Sequence, residues 1–112
     1  MVIKNELKLF DVVDKIGTEN LLIQVAEECS ELSKAALKLH RVATGTTPVS
    51  LEDAKENLIE EMADVLVCME ALKYELGQFI PDLNTELVKI AEHKTDRWHN
   101  RVFGRGDQDD ES

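Results

Sequence analysis

Two stretches of this chain, 33 positions apart, carry the same order of residue types, and each is set in a helical pattern. Val25-Ala26-Glu27-Glu28-Cys29-Ser30-Glu31-Leu32 and Leu58-Ile59-Glu60-Glu61-Met62-Ala63-Asp64-Val65 both run apolar, any, acid, acid, apolar, any, acid, apolar. Around the first copy, Leu22, Val25, Cys29, Leu32, Ala36 and Leu39 recur at steps of three and four. Leu51, Leu58, Met62, Val65, Met69, Leu72 and Leu76 recur in the same way around the second. Such spacing predicts two amphipathic helices with these residues as their buried stripes. One element duplicated once is a paired site, not a repeat array.

The link between the copies constrains their geometry. Ala43-Thr44-Gly45-Thr46-Thr47-Pro48 is the clearest helix breaker, and two long helices joined so briefly fold back antiparallel. Position 46 lies midway between 31 and 61, and midway between 28 and 64, so a turn near Thr46 sets both acidic pairs at one height. At about 100° per residue, Glu28 with Glu31 and Glu61 with Asp64 lie on the shoulder of the apolar stripe, while Glu27 and Glu60 point away. Four converging carboxylates repel unless protons or cations offset their charge. Divalent cations with a preference for hard oxygen ligands suit such a set, so Glu28, Glu31, Glu61 and Asp64 are the expected metal ligands. A solvated acidic face is the alternative for either copy alone.

The pattern Glu-Glu-x-x-Glu at 27–31 followed by Glu-x-x-Asp at 61–64 resembles the signature of the MazG-like all-α NTP pyrophosphohydrolase superfamily, which includes dCTP pyrophosphatases, dimeric dUTPases and phosphoribosyl-ATP pyrophosphohydrolases. The likeness covers roughly residues 18–100, and the spacer at 32–60 is at or beyond the long end of the usual range. It implies Mg²⁺, with Mn²⁺ as a substitute, and a dimer or tetramer that can build each site from two chains. It also implies cleavage of an NTP or dNTP between the α and β phosphates, releasing the monophosphate and pyrophosphate, with the four carboxylates as catalytic residues.

A length of 112 residues and 43% hydrophobic content allow one domain, taken as 1–103. Asp107-Gln108-Asp109-Asp110-Glu111-Ser112, after Gly104 and Gly106, predicts a disordered acidic tail over 104–112. A net charge of −10 disfavours binding to a nucleic-acid backbone or an anionic membrane, so phosphates would have to be met through metal ions. No apolar run reaches membrane length and the N-terminus lacks signal-peptide architecture, from which a soluble cytoplasmic protein is expected. Cys29 and Cys68 have no CxxC spacing and are expected as buried, reduced thiols.

The remaining punctuation gives a first short helix over 3–16 ended by Gly17, a second capped by Thr18 and running to about Ala43, and a third opened by a capping box at Ser50-Leu51-Glu52-Asp53 and stopped by Gly77. A fourth begins at Pro81. Its later half holds the basic residues Lys89, His93, Lys94, Arg97, Arg101 and Arg105. Lys94 and Arg97, with Lys38 on the second helix, are candidate phosphate ligands, and Trp98 a candidate base contact. Pairing with surplus acid, and burial of Trp98 in a core, are the plainer readings.

The expected fold is therefore all-α, an antiparallel four-helix bundle-like protomer. Ile59, Leu66 and Val67 lie beside the main stripe of the third helix and point to burial against another copy. Two other classes fit in part. A di-iron carboxylate bundle wants Glu-x-x-His pairs, which neither copy has. A non-catalytic helical interaction module would keep the hairpin and use its acid for solubility.

Overall fold

Ser50 shows how the chain starts a helix. Its Oγ accepts the Asp53 N–H at 3.0 Å, giving one of the orphan donors of the first turn a partner. The helix before it ends as cleanly. Gly45, at φ 79°, donates its N–H to the Val42 carbonyl at 3.1 Å, and Thr46 donates to Arg41 at 2.9 Å. That pair of bonds is a Schellman close, in which the left-handed position favours glycine. The computed structural model describes residues 3–104 and is all-helical, with no strand among them. The helices are α1 (Glu6–Ala43), α2 (Leu51–Gly77) and α3 (Leu83–Val102). No helix among the described residues is long and apolar enough to cross a membrane.

The expected stop at Gly17 falls inside α1. Gly17 has φ 86° and ψ 166°, a conformation far from helical and essentially restricted to glycine, so α1 is two rods, residues 6–16 and 18–43, joined at a sharp break. Asn20 bridges it, its side-chain amide donating to the Ile16 carbonyl at 2.9 Å. Thr18 does not cap the second rod as expected. Its hydroxyl donates instead to the buried Glu75 carboxylate on α2, which offers a charged acceptor. The start expected at Pro81 moves to Leu83, because Asp82 sits at φ 59° in the left-handed region and holds the chain out of the helix until then.

By its contacts the chain divides into two compact units, Met1–Glu75 and Leu76–Ser112. Within the first, Thr18 meets Glu75, Glu28 meets Asp64, and Leu32 lines a groove with Met62, so 18–43 and α2 run antiparallel. Residues 6–16 run the other way along α2: Val12 lies by Val67 and Asp14 bonds to Tyr74. Three rods thus meet around Val13 (1% exposed), Leu21 and Ala71, with Leu9, Ile16, Val25, Leu72 and Tyr74 packed about them. The Phe10 ring stacks on Tyr74 at a centroid distance of 4.0 Å. In the second unit, α3 contains no buried residue.

The inward lines differ from the stripes expected. On α1 they pass through buried Leu21, half-buried Glu28 and buried Ala35. On α2 they pass through buried Ala54, half-buried Glu61, and buried Cys68 and Glu75. Each member stands seven residues from the last, so each line holds one face over several turns. Leu22, Cys29, Ala36, Met62 and Met69, expected inside, are exposed. Both helices are rotated so that small and acidic residues face inward, leaving the heavier apolar edge open.

Candidate functional site

Two helices supply the site. Glu28 stands midway along the rod 18–43, and Glu61 and Asp64 stand one turn apart on α2. Because the rods are antiparallel and turn at Gly45, the three meet at one level. One carboxylate oxygen from each lies within 4.8 Å of the others. Gln24, one turn before Glu28, donates its side-chain amide to Glu28 Oε2 at 2.8 Å and so fixes that carboxylate's direction. Glu61 Oε1 is buried and accepts no hydrogen bond, a costly state for a carboxylate oxygen in a partly dry setting.

The electrostatics follow from the crowding. Partial burial is the largest cause raising the Glu28 pKa above its ordinary value. The charge of Asp64 and a hydrogen bond with it come next, and the Gln24 bond acts against them. Burial likewise leads for Glu61, followed by the charges of Asp64, Glu28, Glu31 and Glu60. The Cys68 thiol is raised by burial, then by Glu28, Cys29 and Asp64. The anionic forms of Glu28, Glu61 and Cys68 are thus disfavoured, as expected where like charges meet away from water.

Of the four expected ligands, Glu31 is not in the triad. Its carboxylate stands 3.6 Å from the Lys34 ammonium, an exposed i,i+3 pair, although its charge still acts on Glu28 and Glu61. Glu27 and Glu60 are exposed. Lys38 is half-buried on α1. Lys94, Arg97 and Trp98 lie on α3 in the second unit, with Lys94 exposed, Arg97 half-buried and Trp98 65% exposed, so Trp98 is not a core residue. Cys68 is buried as expected, whereas Cys29 is exposed, because the α1 rotation turns position 29 outward. Arg105 and the acidic tail beyond Gly104 lie outside the described residues.

A cleft of about 210 Å³ opens beside the triad. Leu9, Val12, Val13 and Ile16 of the first rod form one wall, Val67 and Ala71 of α2 the other, and Glu28 and Asp64 edge it. The arrangement pairs an anionic rim with an apolar bed, which suits a ligand of mixed character. Two contributors were not picked out from sequence. Gln24 leaves a faint signal, an amide four residues before a glutamate on a helix. The wall from residues 6–16 leaves none, since only the break at Gly17 brings it over the carboxylates. No family model, curated protein or solved structure matches the chain.

Proposed function

We propose that this chain is a Mg²⁺-dependent nucleoside triphosphate pyrophosphohydrolase, acting on an NTP or dNTP. The observation that carries the reading is the meeting of Glu28, Glu61 and Asp64 from two helices, with Glu61 Oε1 buried and lacking a donor. Carboxylates held together against their repulsion, one oxygen bare, fit a hard divalent cation, and the raised pKa values of Glu28 and Glu61 mark the charge such an ion offsets. Glu28, Glu61 and Asp64 would hold the ion, with Glu31 close enough to add its field. When bound, the ion supplies positive charge that neutralises a polyphosphate.

The chain's own groups do the rest. Gln24 keeps Glu28 aimed at the cluster, and Leu9, Val12 and Val13 keep bulk water from one side of the cleft. A carboxylate of the cluster accepts the proton of an attacking water. The water oxygen bonds to the α phosphorus as the bond from that phosphorus to the bridging oxygen breaks, and pyrophosphate leaves with the electron pair. Lys38 remains a candidate for holding the phosphate chain, whereas Lys94, Arg97 and Trp98, expected from the sequence to serve phosphate and base, stand in the second unit. The resemblance noted in the sequence supports the same reaction, a housecleaning of nucleotide pools in the cytoplasm.

The reading includes assembly of copies, as a dimer or tetramer, to complete a helical bundle. Leu32, Met62, Ala63, Val65 and Leu66 line an apolar groove of about 490 Å³, with Met62 56% and Ile59 64% exposed. An open apolar edge on both rods of a helical hairpin matches the edge of an identical hairpin. The same groove also favours a second reading, a non-catalytic interaction module. A panel of NTPs and dNTPs with Mg²⁺, analysed for monophosphate and pyrophosphate, separates the two. Pyrophosphate release with at least one member is expected, and its absence throughout leaves the module.

A further inference from the structure

Cys68 stands in the carboxylate cleft and has no part in the hydrolysis. It is 6% exposed, and its thiol makes no hydrogen bond among the described residues. It lines the cleft together with Glu28 and Asp64. On α2 it follows Asp64 by one turn, at an angular offset of about 40°, so the two side chains leave the helix on one shoulder. Glu28 faces them from the rod 18–43, with an oxygen within 4.8 Å of one of Asp64 and its direction fixed by Gln24. A buried cysteine ordinarily serves as a small apolar filler. Here a methyl would do that work, as Ala71 does in the same wall one turn on, whereas the thiol stands where the charges of Glu28 and Asp64 both reach it. Two carboxylates and a thiol converging from two helices suit a cation that takes oxygen and sulfur together. Mg²⁺ takes oxygen alone, whereas Zn²⁺ accepts Asp, Glu and Cys, with bonds of about 2.1 Å to oxygen and about 2.3 Å to sulfur.

We propose that Glu28, Asp64 and Cys68 form a second cation position, displaced from the Glu28–Glu61–Asp64 cluster towards the cleft and selective for a thiophilic divalent ion of the Zn²⁺ class. Cys68 is not among the groups that meet within 4.8 Å, so an ion bound through its sulfur lies towards Cys68 and away from Glu61. Asp64 is exposed and gives the ion its entry from solvent. Binding turns Cys68–SH and the free ion into a sulfur–metal bond, and the thiol proton passes to water. The same carboxylates that disfavour a free thiolate attract a divalent ion, and a thiol that coordinates it is deprotonated outright. The two positions share Glu28 and Asp64, so a Zn²⁺-class ion in one excludes the Mg²⁺ of the other. The inference rests on the reading of this cluster as a cation site and adds to it a means of shutting that site off.

Co²⁺ stands in for Zn²⁺ and makes the sulfur bond visible, because a thiolate-to-cobalt charge-transfer band arises in the near ultraviolet only when sulfur coordinates. The full-length chain, reduced and freed of metal with EDTA, is titrated with CoCl₂. The band is expected in the wild type, unchanged in Cys29→Ser and absent in Cys68→Ser. Equimolar Zn²⁺ should abolish it, and equimolar Mg²⁺ should not. Cys68 is buried and its replacement can disturb packing, so Glu28→Gln supplies a second arm at a half-buried position with the thiol intact. There the apparent Kd for Co²⁺ should rise about tenfold or more, the scale on which even an outer partner tunes a metal site. Glu61→Gln, which touches the cluster alone, should leave the cobalt affinity close to wild type.

A folded wild type that shows no charge-transfer band would overturn the proposal. So would a band that survives Cys68→Ser or vanishes in Cys29→Ser, since the exposed thiol would then be its source. A Co²⁺ affinity indifferent to Glu28→Gln, or as sensitive to Glu61→Gln, would equally remove the second position. Failure of the pyrophosphohydrolase reading shows elsewhere, as absence of pyrophosphate release with Mg²⁺ across the nucleotide panel, and the cobalt band then stands or falls by itself. Where release occurs, Zn²⁺ should suppress it at lower concentration in the wild type than in Cys68→Ser, and suppression at the same concentration in both would overturn the exclusion.

Discussion

Replacing Gly17 by alanine separates two descriptions of the same 38 residues. If α1 were one continuous helix, removing a mid-helix glycine would stabilise the protein by about 0.5–1 kcal/mol. With Gly17 at φ 86° and ψ 166°, an alanine carries a conformational strain of about 1–3 kcal/mol. No steric clash confuses the sign, because nothing lies within 4 Å of the added Cβ. For a chain of this size 1 kcal/mol moves the melting temperature by about 4 °C, so Gly17→Ala should melt about 4–12 °C below wild type. Urea unfolding should show a lower midpoint with an unchanged slope. Gly77→Ala is the control: Gly77 ends α2 with equally open surroundings, and its replacement should leave stability unchanged or raise it by up to about 1 kcal/mol. A Gly17→Ala protein that melts higher than wild type would refute the break, and with it the wall over the carboxylates.

Four further outcomes are expected. Glu28→Gln or Glu61→Gln should lower pyrophosphate release about 10²-fold or more, and Glu27→Gln or Glu60→Gln much less; equal losses at Glu27 and Glu28 would show the faces misassigned. Mg²⁺ or Mn²⁺ should raise the melting temperature beyond an equal ionic strength of NaCl, as an ion that binds only the folded state must, and identical shifts would count against the metal reading. In EDTA the raised pKa values of Glu28 and Glu61 mean that the folded state holds their protons more tightly than the unfolded. Their unfavourable contribution, full near neutrality, is then relieved as pH falls through the folded-state values towards 4.5; denaturant titrations should show this gain, and its persistence in the double glutamine variant would exclude these residues as its source. Met62→Arg, at an exposed site in the apolar groove, should leave the monomer folded and lower the mass measured by light scattering; an unchanged assembly would clear that groove of a role in association.

Local chemistry was legible from the residues, and packing direction was not. Gly17, Gly45, Gly77 and Ser50 act through their own backbone or the next turn, so each break and cap could be read where it stood. The level meeting of Glu28 with Glu61 and Asp64 followed from counting either side of one short link. The faces were harder. Helical periodicity equates inside with apolar, yet Glu61 and Glu75 stand on the inward line of α2, while Met62, one position from Glu61, is open. An offset of 100° separates those two readings, and a sequence with apolar residues on both edges does not say which edge meets the chain's own neighbour. Cys29 was misplaced for the same reason. Glu31 was counted with the triad because the i,i+3 rule gives direction without reach. The structure turns its carboxylate to Lys34.

The seven-residue connection at 44–50 carries a consequence for how this chain can be altered. One residue added inside either rod would turn everything beyond it by about 100° and carry Glu28 away from Asp64. One residue added after Thr46 would change neither rod, since the Schellman bonds close α1 upstream and Ser50 reopens the helix downstream. Lengthening a surface loop is thermodynamically mild, about 0.6 kcal/mol for each doubling. Thr47, Pro48 and Val49 are therefore the place to splice a reporter peptide or a fluorophore anchor. In any lineage of such hairpins, that tip is where length should drift while the two acidic turns keep step.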